Sequence, residues 1–341
     1  MAEAFLGLGE HDRKDALLHA ASLTGRPAYL LEKDVWVVWT LGAMFNANLG
    51  EHLVFKGGTS LSKAYDGLIQ RFSEDIDLTY DIREIIPDLP DSKEPIPNTR
   101  SQAGKWTQVV RNSLPTWVRD QVIPVLDTAI MASGVNLEIT QDGDKLRLQY
   151  APLVEGGAYV KPEVLLEFGA RSTGEPAEKR RVVCDTATSL PDLVFPEATP
   201  RVMVATRTFW EKATAAHVYC LKGEFRGERY ARHWHDIGRL AAAGISSDAI
   251  ADRELAACVA DHKQAFFRER AADGTWIDYH MAIDGALRLV PEGEALANLR
   301  DDYQNMIDGG FFEVTPEPFE DLMTHCHAIE SEANRIKKIS K

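Results

Sequence analysis

The 341-residue chain has little of what marks a membrane, secreted or nucleic-acid-coating protein. Its four cysteines (Cys184, Cys220, Cys258 and Cys326) are scattered with no Cys-x-x-Cys spacing. That argues against a disulfide framework and for reduced thiols, so a cytoplasmic location is expected. No apolar run approaches the roughly 20 residues needed to span a bilayer, and no membrane association is expected. The opening MAEAFLGLGEHDRKD lacks a basic start followed by a long apolar stretch, so it does not read as a signal peptide. No internal repeat or low-complexity tract occurs. Basic charge is in deficit: 38 Lys and Arg stand against 52 Asp and Glu, a net charge of −14. The chain therefore gives no global electrostatic sign of nucleic-acid binding. His325-Cys326-His327 resembles a metal cluster, but neighbours on a helix point apart, so it is read as incidental.

What is present is concentrated between residues 53 and 78. Leu53 to Phe55 reads as a short strand, Gly57-Gly58 as a turn opening a helix, and Asp75-Ile76-Asp77-Leu78 as a second strand. Glycine tolerates the close approaches that let backbone N–H groups face an anion at a helix N-terminus. Thr59 or Ser60 would cap that helix or bond a phosphate oxygen. Positions i and i+2 of a strand share a face, so Asp75 and Asp77 point together while Ile76 and Leu78 enter a core. Two carboxylates so close repel unless a cation lies between them, and hard oxygen ligands suit Mg²⁺ accompanied by phosphate.

Elsewhere, residues 10–23 and 28–47 read as helices. The second is apolar almost all round and is expected to buttress a sheet, with Lys33 and Asp34 structural. Asp81 to Asn98 is rich in Pro (Pro87, Pro90, Pro95, Pro97) and reads as a mobile loop, followed by helix from about Ser101 to Ser133. Val135 to Thr140 and Lys145 to Tyr150 alternate about an Asp142-Gly143 turn signal. Closing on Asp142-Gly143 sets Ile139 opposite Leu146, Leu137 opposite Leu148 and Glu138 opposite Arg147. A strand Glu163–Phe168 returns, with Glu167 flanked by apolar residues on both sides. A carboxylate buried there requires a cation, whether a metal or a partner such as Arg171, Lys145 or Arg147. From Thr206 the chain turns helical. Phe209, Ala213, Ala216 and Cys220 form one stripe, and Tyr230, Trp234, Ile237 and Ala241 another, with Arg232, Asp236 and Arg239 on a separate face. Ser246-Ser247-Asp248 reads as a helix cap, Gly309-Gly310 as a break before the last helix, and Arg335-Ile336-Lys337-Lys338 as a basic, frayed end.

The glycine turn, helix and Asp-x-Asp strand resemble the core motif of DNA polymerase β-like nucleotidyltransferases. The fuller strings FKGGTSLSKAY and RFSEDIDL resemble the AbiEii/AbiGii nucleotidyltransferase toxins of bacterial toxin–antitoxin and phage-defence systems. The resemblance runs from the LEKDVWVVWTLGAMF helix to the last helices. It implies an α+β fold in which a sheet-and-helix nucleotidyltransferase lobe (1–200) packs on a mainly helical C-terminal lobe (201–341), with the site in the cleft. It implies that Asp75, Asp77 and Glu167 hold Mg²⁺ or Mn²⁺. Gly57, Gly58, Thr59, Ser60, Lys63, Arg71 and Ser73 would bind the nucleotide. Lys212, in RTFWEK, would contact its phosphates, and Asp236, in RHWHD, would be essential, orienting Lys212 or an arginine or helping to bind base or metal.

The reading is therefore a toxin that transfers a nucleoside monophosphate from an NTP to an acceptor RNA, with the tRNA 3′ end first among candidates. A cognate antitoxin or a regulating kinase would restrain it. RNA would be drawn by a local strip at Lys63, Arg71, Arg147 and Arg171, with Lys179-Arg180-Arg181 as an outer contact. The alternatives are transfer to a protein or small molecule, which the acidic charge favours, and a non-catalytic nucleotide-binding module.

Overall fold

The computed structural model describes residues 3–89, 92–156, 160–223 and 229–335. Pro90 of the proline-rich stretch and Ile336, Lys337 and Lys338 of the basic C-terminal run lie outside the described residues. The fold is α+β, and the chain divides into two compact units. The first comprises Met1–Ala64, Ser73–Leu89 and Gln108–Val202, and the second Tyr65–Phe72, Pro90–Thr107 and Met203–Lys341.

The first unit is built on a mixed sheet. Its strands in chain order are β1 (Glu3–Ala4), β2 (Leu53–Lys56), β3 (Ile76–Tyr80), β4 (Leu137–Asp142), β5 (Lys145–Tyr150), β6 (Glu163–Gly169), β7 (Ala177–Lys179), β8 (Val182–Val183), β9 (Leu193–Val194), β10 (Glu197–Ala198) and β11 (Arg201–Met203). Seven of them form one sheet in the order β4-β5-β6-β3-β2-β11-β7, while β1 pairs with β9 and β10 with β8. Strand alternation gives the large sheet two unlike faces. Leu53, Phe55, Ile76, Leu78, Leu146, Leu148, Leu166 and Phe168 are opposed across the ladders on one face, all of them buried. Each such side chain contributes about 1.5–3 kcal/mol by leaving water.

Two helices open the chain, α1 (Glu10–Thr24) and α2 (Ala28–Phe45). Along α2 burial is nearly continuous, which explains its apolar character on every side. Trp36 of α2 lies 5.6 Å from Tyr150 of the sheet between ring centroids. Glu32, Lys33 and Asp34 in its middle are buried and paired. Glu32 accepts from the Leu153 and Val154 N–H groups, Lys33 pairs with Glu74, and Asp34 pairs with Lys63. After β2 comes the short helix α3 (Gly57–Lys63). Helix α4 (Arg100–Trp117) runs through a π-helical stretch, Val118–Val122, into α5 (Ile123–Ser133).

The hairpin is present, but its register differs from expectation. Asp142 pairs with Lys145, Ile139 with Leu148, and Leu137 with Tyr150, so the two-residue loop is Gly143-Asp144 rather than Asp142-Gly143. Gly143 has φ +61° at the first loop position, where type II′ turns favour glycine. Because the slip is two residues, each side chain keeps its face. Arg147 consequently faces Thr140 instead of Glu138, and its guanidinium pairs with Glu163 at 2.8 Å.

The second unit is helical: α6 (Ala205–Lys222), α7 (Ala231–Ala242), α8 (Ile245–Ala251), α9 (Arg253–Phe266), α10 (His280–Ile283), α11 (Gly293–Asp308) and α12 (Phe319–Arg335). Its core is filled by Trp210 and Trp234, whose indole N–H groups donate to the carbonyls of Ala249 and Leu289. The proline-rich stretch is tied in here. Glu94, expected in a mobile loop, makes a 2.8 Å ion pair with the fully buried Arg207 of α6. Ser246, Ser247 and Asp248 lie inside α8 rather than capping it. Gly244, at φ +79°, makes the turn, and the next cap is Asp252, which accepts from Leu255 N–H. Helix α11 ends at Gly309, as the sequence pattern predicts.

Candidate functional site

The sheet's second face carries charge. Asp77 of β3 lies directly opposite Glu167 on the parallel strand β6 and opposite Lys56 on the antiparallel strand β2. Across a ladder, opposed residues share a face, so one row reads Lys56, Asp77, Glu167, Lys145. Asp75 lies just ahead of β3. Burial raises its carboxyl first, and the negative charges of Glu74, Asp77 and Glu167 raise it further, to about 6, against the opposing pull of Lys33. The charges of Asp77 and Glu167 thus reach Asp75, although Asp75 itself precedes the strand on which the sequence reading placed it.

Glu167 departs from the sequence reading in its surroundings. Its side chain is 35% exposed rather than buried, and Lys145 is its ion-pair partner. Its flanking residues Leu166 and Phe168 face the core while Glu167 faces the polar side. Among the described residues, no three His, Cys, Asp or Glu side chains come together as a metal-ligating group. Two aspartates with phosphate oxygens are nonetheless the usual donor set for Mg²⁺, and the raised carboxyl of Asp75 marks a local excess of negative charge that a cation would relieve. The residues fit a divalent cation held by Asp75 and Asp77. Glu167 joins them only by releasing Lys145.

The glycine turn is built around Asp77. Gly57 has φ +82°, and a Cβ there would lie 2.2 Å from Oδ2 of Asp77. Only glycine admits both that backbone angle and that approach. The hydroxyls behind it point inward. Ser60 Oγ donates to the Gly57 carbonyl at 2.9 Å, and Thr59 Oγ1 lies 2.9 Å from Ser73 Oγ. Neither caps α3, contrary to the sequence expectation, because both side chains are buried by these partners. Lys63, expected beside the nucleotide or on an RNA strip, is buried and held by Asp34 and Asp185, with Arg26 on the far side of Asp185. Burial alone would pull its ammonium down; the two carboxylates more than reverse that and raise it.

In the second unit Asp236 is fully buried on α7 and gripped by two cations. Arg71 donates to it in bidentate fashion, Nε and Nη2 each at 2.7 Å, and Lys212 Nζ of α6 lies at 2.8 Å. Burial pushes the Asp236 carboxyl up, but Arg71 and Lys212 outweigh it and hold the group well below the usual range. For Lys212, burial pulls the ammonium down against the support of Asp236. Asp236 therefore does not lie on a solvent-exposed face with Arg232 and Arg239, although the three share one side of the helix by spacing. The segment bearing Arg71 is fastened to α7 by His235 to the Ile69 carbonyl at 2.7 Å and by Arg239 to the Leu68 carbonyl at 3.1 Å. Asp236 thus orients both Lys212 and Arg71, and both its oxygens are engaged by cations.

Several members of the expected basic strip are buried or paired, while Lys179 is exposed and Arg171 half-buried. The Lys63 side chain and Arg71 are buried, Arg147 pairs with Glu163, Arg180 with Glu178 and Arg181 with Glu197. Lys56 escaped sequence reasoning although it stands second in the FKGG string. Its position across from Asp77 depends on antiparallel pairing of β2 with β3, which the sequence does not display. His325 and Cys326 part as expected, His325 to Glu317 and Cys326 into the core.

A helix-opening glycine turn pressed on an aspartate strand, with a neighbouring strand adding a third carboxylate, is the arrangement of a nucleotidyltransferase. The chain belongs to the family described as nucleotidyl transferase AbiEii toxin, type IV toxin–antitoxin system, whose model matches residues 39–325. It is accordingly a nucleotidyltransferase toxin, acting on a nucleotide substrate and paired with an antitoxin. No curated protein matches it by sequence. Among solved structures it is similar to MenT4, a nucleotidyltransferase toxin from Mycobacterium tuberculosis H37Rv. The identity is 16% and the TM-score 0.42, over 97% of this chain and 100% of the other. Among the described residues no helix is long and apolar enough to cross a membrane.

Proposed function

We propose that the protein transfers a nucleoside monophosphate from an NTP to an acceptor RNA, the tRNA 3′ end first among candidates, with release of pyrophosphate. The observation that carries this reading is the juxtaposition of Asp77 with Glu167 across β3 and β6, beside an Asp75 carboxyl raised to about 6 by its neighbours. Asp75 and Asp77 would hold Mg²⁺ or Mn²⁺, and Gly57 keeps the space in which Asp77 sits. A bound divalent ion supplies neutralisation of the developing phosphoryl charge. Lys212, oriented by Asp236, contributes fixed positive charge for the phosphates. The acceptor hydroxyl oxygen bonds to the α-phosphorus, the bond to the bridging oxygen breaks, and pyrophosphate leaves. The hydroxyl proton passes to the carboxylate face. Positioning and charge complementarity supply most of the rate enhancement in such transfers. In a cell this activity serves growth arrest or phage defence under control of the antitoxin, a kinase being one form that control could take.

The net charge of −14 favours one rival, transfer to a protein or small molecule. Incubating the protein with each labelled NTP, Mg²⁺ and total cell extract separates the two. Label in the RNA fraction, and a tRNA mass increased by one or more nucleotides, is the expected result. Label confined to protein or small molecules overturns the RNA assignment.

A further inference from the structure

The second unit holds an arginine cluster that none of the nucleotidyltransferase motifs includes. The chain after α9 forms a small antiparallel turn: Arg270 bridges Trp276, Ala271 N–H donates to the Thr275 carbonyl, and Ile277 N–H to the Glu269 carbonyl. Trp276 is 42% exposed. Three guanidiniums gather on its ring, Arg270 at 4.0 Å from the centroid, Arg268 at 4.4 Å and Arg100 at 5.8 Å. Among the described residues none of the three forms an ion pair with a carboxylate, and the buried Nε of Arg268 has no hydrogen-bond acceptor. Arg270 also donates to the Gly274 carbonyl, and the nearby Glu269 is taken by Lys222, so the three guanidiniums keep donors for an external anion. Arginines held against an aromatic ring have also lost part of their rotamer freedom before any ligand arrives.

We infer that Arg100, Arg268, Arg270 and Trp276 form a docking site for the phosphodiester backbone of single-stranded RNA, the acceptor strand in the reading above, on which this inference rests. Guanidinium planes both pair with phosphate oxygens and stack on unpaired bases, which an acidic peptide would use only in part. The turn is fixed to α6 by Ala272 N–H donating to the Leu221 carbonyl at 3.0 Å and by the Lys222–Glu269 ion pair at 3.0 Å. Lys212 lies nine residues earlier on the same helix, about 14 Å along its axis. The site is thus held rigidly relative to the lysine assigned to the nucleotide, and a strand lying on it is tethered near that lysine rather than captured at random.

The test measures binding of a short labelled single-stranded RNA to the full-length protein, without nucleotide or divalent metal, over a series of salt concentrations. The comparison is wild type against the triple variant Arg100→Gln, Arg268→Gln, Arg270→Gln. Three phosphate contacts at about 0.7 each predict that the slope of log affinity against log salt shrinks by about 2 in the variant. NTP binding should be unchanged in both. Trp276→Phe, which retains a ring, supplies a second readout: RNA should quench tryptophan emission in wild type and leave it unquenched in this variant. An unaltered slope in the triple variant, equal loss of NTP binding, or equally good competition by polyglutamate would each overturn the assignment. Because the assay contains no NTP, a wild-type protein that binds RNA here yet labels only protein defeats the proposed function and not this site, and intact transfer with an unaltered slope does the reverse.

Discussion

Replacing Gly57 by alanine tests whether the glycine turn exists for Asp77. Two penalties arise, and they can be separated. The backbone at φ +82° disfavours any side chain, by about 1–2 kcal/mol. The new methyl would also stand 2.2 Å from Asp77 Oδ2, so the carboxylate must retreat by about 1 Å to reach ordinary contact. A misplacement of that size in a reacting constellation reduces rate by about 100-fold. Gly143→Ala is the matched control, because Gly143 has φ +61° and nothing within 4 Å of its built Cβ. Both variants should lose similar stability in urea titration and stay folded, since domains hold about 5–15 kcal/mol in total. Only Gly57→Ala should lose nucleotide transfer, measured as label incorporated from NTP at saturating substrate. Equal transfer rates in the two folded variants would refute the claim that Gly57 is there to admit the Asp77 carboxylate.

Three further outcomes are expected. Asp236→Asn leaves two buried cations short of their counter-charge, so urea titration should show a loss of about 3–5 kcal/mol, whereas a loss below 1 kcal/mol would mean that the cluster relaxes into solvent. For Asp75, the folded carboxyl titrates near 6, above its unfolded value of 3.8, so its contribution is full below pH 3.8 and is lost as pH rises through 6. Wild type should therefore lose stability relative to Asp75→Asn across that window, up to a ceiling of about 3 kcal/mol, and parallel pH profiles of the two would contradict the crowding of these carboxylates. Lys212→Ala should slow transfer, and Lys212→Arg should rescue poorly because a planar fork does not replace a compact ammonium packed on Asp236; full rescue by Arg would show that only its charge matters.

Local signals made much of the first unit legible. The glycine turn, the two-strand alternation of 137–150 and the apolar faces of β3 and β6 are short-range patterns, and the corresponding elements are present. The hairpin slip arose because Asp-Gly and Gly-Asp turns compete within the same four residues; Gly143 takes positive φ in either, and the pairing of Asp142 with Lys145 selects the second. Side-chain partners across long separations were the unreadable part. That Asp236 would take Arg71, 165 residues away, or that Lys63 would be shared by Asp34 and Asp185, depends on how elements stack, which hydrophobic period does not encode. The partners of the expected basic strip were hidden for the same reason. Arg180 and Arg181 look free in sequence, and Glu178 and Glu197 neutralise them in space. The Trp276 cluster was missed because its arginines come from two distant segments, Arg100 and Arg268 to Arg270.

The most direct test of the central claim is a side-by-side transfer assay of wild type and Asp77→Asn with labelled NTP, Mg²⁺ and purified tRNA, after urea titration has matched their stability. Asparagine keeps the volume beside Gly57 and removes the charge opposite Glu167. The account predicts label at the RNA 3′ end with wild type and none above background with Asp77→Asn. Transfer by the folded variant at a rate near wild type would contradict it.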